Sequence, residues 1–313
     1  MRVVFMEGGR VMKASRKFGV FGLVFLILVF LGSIQLAMAI DLESVRQAIL
    51  QKNGRWQAGD TSVSKLPPER MKNLVGLIIE GRSAPPAEHL QALPSHFDWR
   101  DFGMVTSVKN QGNCGSCWAF GSVAELESLL LINSISFPGG STDGSEQFLV
   151  SYNLSNSGCD GGTLSRAASF LKKRGDIPEA CLPYRANDRK IPLPCREWKA
   201  LKAGIQSWKG VARDVDSLKA AVYENPIVAG MYVYEDFMYY TGGVYEHTTG
   251  ELLGGHAILI IGWDDADQCF IAKNSWGEDW GESGYFRIAY SQVTNEVQFG
   301  TDAIDYDGLW SAD

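Results

Sequence analysis

Beyond Leu93 the chain changes texture once, and that change constrains its fold more than any other feature of the sequence. Up to about Tyr223 the apolar residues recur at helical spacing. "CWAFGSVAELESLLLI" is apolar at Trp118, Phe120, Val123, Leu126 and Leu130, which predicts a largely buried helix starting near Ser116. Two further helices are expected, at 162–173, ended by Gly175, and at 216–223, stopped by Asn225 and Pro226. After that point the texture is short β-branched and aromatic runs separated by Gly and Asp: "PIVAGMYV", "GGHAILIIGW", "QCFIAKNSW" and "GYFRIAY". Helices first and strands second imply an α+β protein in two lobes, with a cleft between them. No repeat or low-complexity tract interrupts this stretch.

The first 39 residues stand apart. Five basic residues, Arg2, Arg10, Lys13, Arg16 and Lys17, precede an apolar run from Phe18 to Leu31 and a small-residue stretch ending at Ala39. That order reads as a signal peptide cleaved before Ile40, so the membrane is met only in transit and the body is secreted or otherwise extracytoplasmic. The competing reading is a retained anchor, since Phe18 to Ile40 is long enough to span a bilayer, but Gly32, Ser33 and Gln35 weaken it. Residues 40–92 begin helix-prone, with Leu42, Val45, Ile49 and Leu50 on one face, and end in the Pro-containing stretch from Ser83 to Pro94. The segment is too short for a core of its own and must lean on the domain that follows. Its Pro-containing end reads as an exposed linker of the kind proteases nick.

Charge excludes one class of partner. The 313 residues carry a formal −7, and the first 39 contribute +4, so the exported remainder stands at −11. No basic stripe is left to track phosphates, and nucleic acid is not expected as a partner.

The six cysteines are 114, 117, 159, 181, 195 and 269, and export permits disulfides among them. Full pairing allows 15 connectivities, which counting alone does not reduce. The pair in "NQGNCGSCWAF" (Asn110 to Phe120) reads three ways: a redox dithiol, half of a zinc site, or a structural cysteine beside a reactive one. Histidines narrow the choice. Of the four, His89 and His96 precede the folded lobes, and His247 sits in the polar turn "YEHTTGE", where a solvated side chain is expected. His256 follows two glycines at the start of an apolar strand, a position that faces a cleft. A cysteine at a helix N-terminus has its thiolate stabilised by the dipole and free N–H groups. Cys117 fits that description, His256 can act as its base, and Asn274 in "AKNSWG" can orient the imidazole.

These motifs carry a family resemblance. "LPSHFDWRD", "NQGNCGSCWAF", "SEQFLVS", "GCDGG", "GGHAILIIGW" and "KNSWGEDWGESGYFRI" occur in the order found in papain-like cysteine peptidases and cover most of Leu93 to Ile288. His256 lies 139 and Asn274 157 residues beyond Cys117, close to the spacing typical of that family. The resemblance implies a two-lobed fold, a helical left lobe and a β-barrel-like right lobe with the active site between them. It divides the chain into a signal peptide (1–39), a propeptide (40–92) and a peptidase domain (93–313). Cys117 resembles the nucleophile, His256 the general base and acid, Asn274 the orienting group and Gln111 the side-chain donor of the oxyanion hole. In the substrate-binding set, Gly161 and Gly162 resemble the backbone that pairs with extended substrate. Their missing side chains independently permit close approach by another main chain. Trp276 resembles the indole that covers the Asn–His hydrogen bond.

Cys159 resembles the usual disulfide partner of Cys114. Tyr152 stands where many relatives carry a cysteine, so Cys181 is left to pair with Cys195 as a second disulfide, and Cys269 is expected as a buried free thiol. "RWQAG" (Arg55 to Gly59) resembles the short propeptide of cathepsin B, but no histidine occurs between His96 and His247 to form that enzyme's occluding loop. Endopeptidase action on protein or peptide substrates is therefore expected, held latent by the chain's own propeptide, with no cofactor and no metal. A bell-shaped activity profile between roughly pH 4 and 8 should follow from a thiolate–imidazolium pair. The alternatives are a thioester-forming acyl transferase that ligates peptides and a catalytically silent binding protein on the same scaffold. A thiol–disulfide oxidoreductase accounts for the C-x-x-C but not for Gln111, His256 or Asn274.

Overall fold

The computed structural model describes residues 40–86, 92–188 and 191–312. The expected signal peptide, His89 and residues 87–91 of the linker lie outside the described residues.

An N-terminal arm, residues 40–86, opens with α1 (Leu42–Gln51), whose N-cap Asp41 accepts from the Ser44 N–H at 2.7 Å. Its apolar face buries Val45 and Ile49. Strand β1 (Arg55–Ala58) and the short α2 (Pro68–Lys72) follow. The body begins with β2 (His96–Asp98). Its helices are α3 (Cys117–Ile132), α4 (Glu146–Tyr152) and α5 (Leu164–Arg174). After them come β3 (Ala203–Gly210), α6 (Val215–Glu224), β4 (Ile227–Tyr234), β5 (Tyr240–Tyr245), β6 (Leu252–Asp264), β7 (Cys269–Lys273), β8 (Tyr285–Ala289) and β9 (Thr301–Ser311).

The predicted central helix is α3, and every residue from Cys117 to Leu130 is buried. It is covered on all sides because α4 and α5 pack on one flank while β6 and β4 pack on another. Gly121 permits the closest approach: a Cβ there would lie 2.7 Å from Val228 Cγ2. The helix expected at 162–173 starts instead at Leu164 with Thr163 as N-cap, because Gly162 is engaged in strand pairing. The four predicted strands appear as β4, β6, β7 and β8.

The strands form one sheet in the order β1-β5-β8-β7-β6-β4-β9-β3, with β2 paired to β6. All pairings are antiparallel except β5 with β8. The fold is thus α+β, as expected, and the lobe expected to be barrel-like is an open sheet among the described residues. One core lies on that sheet, around Phe237, Tyr240, Trp263, Trp276, Trp280 and Phe286. The other packs α3, α4 and α5 around Trp118, Phe148 and Leu171. The arm joins both: Val45, Ile49 and Trp56 enter the first core and Leu77 the second.

His247 departs from expectation. Its side chain is only 9% exposed, stacked on Tyr234 at 4.0 Å, and its Nδ1 lies 3.1 Å from Asp236 Oδ1. The cause is Asp236, a fully buried carboxylate that also accepts from Tyr245 and from the Thr248 and Thr249 N–H groups, folding the polar turn back onto itself.

Candidate active site

Helix α3 and strand β6 meet at the cleft, and the arm lies in it. Cys117 is the first residue of α3 and is fully buried; its neighbour across the cleft is Ala257, which follows His256 on β6. His256 Nε2 lies 2.7 Å from Asn274 Oδ1, and that oxygen also accepts the Ser275 N–H at 2.8 Å. An amide oxygen can only accept, so Nε2 carries the proton and Nδ1 keeps its lone pair. Nδ1 is buried without a hydrogen-bond partner, an acceptor free to take a proton. Trp276, buried, tilts over the imidazole at 4.7 Å, with Phe237 and Trp280 packed against it. It forms the wall behind the Asn274–His256 bond, where low local polarity strengthens that bond.

Gln111 is fixed from three sides. Its N–H donates to Ser275 O at 2.9 Å, its Oε1 accepts from Ser275 Oγ at 2.7 Å, and its carbonyl accepts from Tyr184 OH at 2.8 Å. Nε2 is thereby turned into the cleft, donating to Cys114 O at 2.9 Å and to Leu74 O of the arm at 3.1 Å.

The arm runs straight through these groups. The Gly76 N–H points at Cys117 Sγ at 3.4 Å, and Gly76 O accepts the Gly162 N–H at 2.9 Å. Ile78 N–H donates to Gly162 O at 2.8 Å and Leu77 N–H to Gly255 O at 2.9 Å. The bridge to Gly162 is parallel and the one to Gly255 antiparallel. Gly162 therefore pairs with the extended backbone of the arm. Gly161 does not pair, but a Cβ on it would stand 2.7 Å from Gly76 O, so its bare backbone is what lets the arm approach. Leu77 points between the strands: a Cβ on Gly230 would meet its Cδ2 at 2.5 Å. Farther along, Asp302 accepts the N–H groups of Glu80 and Arg82 at 2.5 and 2.6 Å.

Burial under the arm sets the electrostatics. It pushes the Cys117 thiol up to about 11, against the pull of the Ala257 and Gly76 N–H groups, and drives His256 down to about 4, against the Asn274 bond. Both groups are neutral at ordinary pH in this state.

Two disulfides frame the site, Cys114–Cys159 and Cys181–Cys195, and among the described residues Cys117 and Cys269 are the free cysteines, both buried. The C-x-x-C of the sequence thus splits into an anchor and a free thiol. No group of three or more His, Cys, Asp or Glu side chains among the described residues is arranged to hold a metal ion. Sequence reasoning missed Ser275, Tyr184, Gly255 and Asp302. Ser275 and Gly255 lay inside quoted motifs, whereas Tyr184 and Asp302 reach the site only through the tertiary fold.

The matching family model is that of the papain family cysteine protease, over residues 93–304. The chain belongs to this family and is a papain-like cysteine peptidase. It is 35% identical over 262 residues to cathepsin B-like CP3 of Giardia intestinalis, covering 78% of this chain and 86% of that one. Among solved structures, procathepsin L2 from the larval midgut of Tenebrio molitor superposes with a TM-score of 0.71 at 28% identity, over 85% of this chain and 88% of that chain. The fold of procathepsin B S9 from Trypanosoma congolense matches with a TM-score of 0.73 at 23% identity, over 86% and 98%.

Proposed function

We propose that the chain is the zymogen of an exported cysteine endopeptidase in which residues 40–92 are the propeptide and 93–313 the enzyme. The observation that carries this is the arm's course: it holds Gly76 N–H against Cys117 Sγ and the Leu74 carbonyl against Gln111 Nε2. A scissile peptide must offer its carbonyl carbon to sulfur with its oxygen on the Gln111 donor. The arm offers an N–H to sulfur instead, and the carbonyl that meets Gln111 belongs to a residue two positions away. It fills the site without being attacked.

With the arm gone, His256 Nδ1 takes the Cys117 proton and the thiolate adds to the substrate carbonyl. The oxyanion is held by Gln111 Nε2 and the Cys117 N–H. Collapse of the adduct expels the amine, which receives the proton from His256, and leaves a thioester. Water then adds to the thioester, giving its proton to Nδ1, and the acid product leaves as Cys117 recovers its hydrogen. Asn274 holds the ring throughout. Exported status rests on the sequence of residues 1–39; no helix among the described residues is long and apolar enough to cross a membrane.

Product analysis of the processed chain on an internally amidated peptide tests the reading, with Cys117→Ala as control. Two fragments carrying a new carboxylate and a new amine are expected, and none from the variant. Ligated products in place of the acid fragment, or activity in Cys117→Ala, would overturn it. Gln111→Ala should lower kcat by about a hundredfold with little change in KM, since that donor acts mainly on the developing oxyanion. Asp302→Ala should weaken the arm's hold. In the full chain, this variant is expected to lose residues 40–92 about tenfold faster than the parent, as two charge-assisted bonds are lost; equal rates by gel-resolved processing would refute it.

A further inference from the structure

The strongest pattern outside the reacting groups lies at Tyr184. Its hydroxyl stands 2.8 Å from the Gln111 carbonyl oxygen and 2.6 Å from Ser116 Oγ. A carbonyl cannot donate, so the single phenolic proton goes to Gln111, and the Tyr184 oxygen must accept the Ser116 hydroxyl proton. The only other acceptor near Ser116 Oγ among its recorded contacts, Cys114 O, is 3.5 Å away and too long to compete. Ser116 is the N-cap of α3, yet its side chain makes no capping bond to the helix. A residue type suited to capping is turned outward to Tyr184 instead.

Gln111 and Ser116 have one thing in common. The first carries the side-chain donor of the cleft, and the second immediately precedes Cys117, whose N–H is the other donor. We propose that Tyr184 is a positioning residue that sets the spacing of the two oxyanion donors by holding Gln111 and Ser116 on one hydroxyl. This rests on the assignment of Gln111 and Cys117 made above.

Tyr184 is itself braced. It lies within the loop closed by Cys181–Cys195, where the Cys195 N–H also donates to Cys181 O at 2.9 Å. Its own N–H donates to Glu179 Oε1 at 2.7 Å, and its ring meets Phe120 of α3 edge-on at 4.8 Å. The second disulfide therefore does more than close a surface loop: it fixes the strut that sets the donors, which must be held within about 0.5 Å of their productive positions, roughly 2.7–3.1 Å from the developing oxyanion, to be effective.

The test uses Tyr184→Phe, made in the full chain and then processed. The ring and its Phe120 contact remain, and only the hydroxyl is lost. On a peptide amide, kcat is expected to fall about tenfold with KM within about twofold of the parent, the loss typical of slightly misplaced groups. A peptide aldehyde, whose adduct with Cys117 carries an oxygen in the same place, should bind weaker by the same factor. The rate of Cys117 alkylation by iodoacetamide, which forms no oxyanion, should stay within about twofold. Ser116→Ala should give the same pattern more weakly, and it carries the test if Tyr184→Phe fails to process. Unchanged kcat, or a loss shared equally by alkylation or by KM, would overturn the proposal. Activity surviving in Cys117→Ala would instead overturn the assignment on which it rests.

Discussion

Cys117 of the full chain is expected to react with iodoacetamide at least a hundredfold more slowly at pH 7 than Cys117 of the chain that has lost residues 40–92. The thiolate is the reacting species. In the covered site the thiol is pushed up to about 11 and His256 is held near 4, so the proton stays on sulfur across the physiological range. Uncovering the cleft removes the burial that disfavours both charged forms and lets the thiolate and imidazolium stabilise each other, which places such cysteines at roughly 3.5 to 7.5. The pH dependence separates the two states. Alkylation of the full chain should climb steadily toward pH 10–11, whereas the processed chain should already be near its plateau by about pH 7. Equal rates, or a plateau at neutral pH in the full chain, would refute the role assigned to burial.

The same groups set how the arm's affinity depends on pH. Between about pH 5 and 7 the covered pair holds one proton on Cys117 and the uncovered pair holds one on His256, so binding takes up and releases none. Above about pH 8 the uncovered imidazolium loses its proton while the covered thiol keeps its own until about 11. The covered state then binds more protons than the free one, and the arm should bind more weakly as pH rises from 8 to 11. The pair by itself provides no release in mild acid.

Much of this site was legible in the sequence because its parts are local. Cys117 opens a helix whose apolar positions announce it, and His256 sits on a strand marked by the two glycines before it and the β-branched run after it. Asn274 directly follows the next strand. Each can be placed from its neighbours in the chain. The parts that escaped are long-range. Tyr184 sits in a loop with no periodicity, and Asp302 lies in β9, whose interspersed acids at 302, 305 and 307 disguise a buried strand. His247 misled in the other direction: "YEHTTGE" has the composition of a solvated turn. What buries it is Asp236, eleven residues upstream, whose five hydrogen bonds are invisible in a linear reading. The course of the arm was also beyond reach, since "NLVGLII" has the apolar content of a core strand and no sign that it would cross a cleft.

That stretch carries the largest effect expected from a single methyl group. Gly76→Ala should make the full chain fail to remain latent, because a Cβ at this position would lie 1.9 Å from the Gly115 carbonyl oxygen and 2.3 Å from its carbon. Neither partner can move aside. The Gly115 N–H donates to Cys159 O at 2.9 Å, and Cys114 next to it is tied to Cys159 by the disulfide. On the other side Gly76 is held by its bond to Gly162, so relief of the overlap means lifting the arm from Cys117 Sγ and Leu74 O from Gln111. Overlap of this kind costs about 3 kcal/mol or more, roughly a hundredfold in affinity. The measurement is inhibition of the processed chain by a peptide spanning residues 40–92, with and without the substitution. Gly81→Ala is the comparison: its φ of +67° makes alanine strained, but open space surrounds the new methyl group. It should weaken inhibition by no more than about tenfold, the cost of backbone strain alone. A Gly76→Ala peptide as inhibitory as the parent would mean that the arm does not lie against Gly115 when it binds. A Gly81→Ala peptide as weak as Gly76→Ala would attribute both losses to the stiffened backbone, not to the overlap beside Cys117.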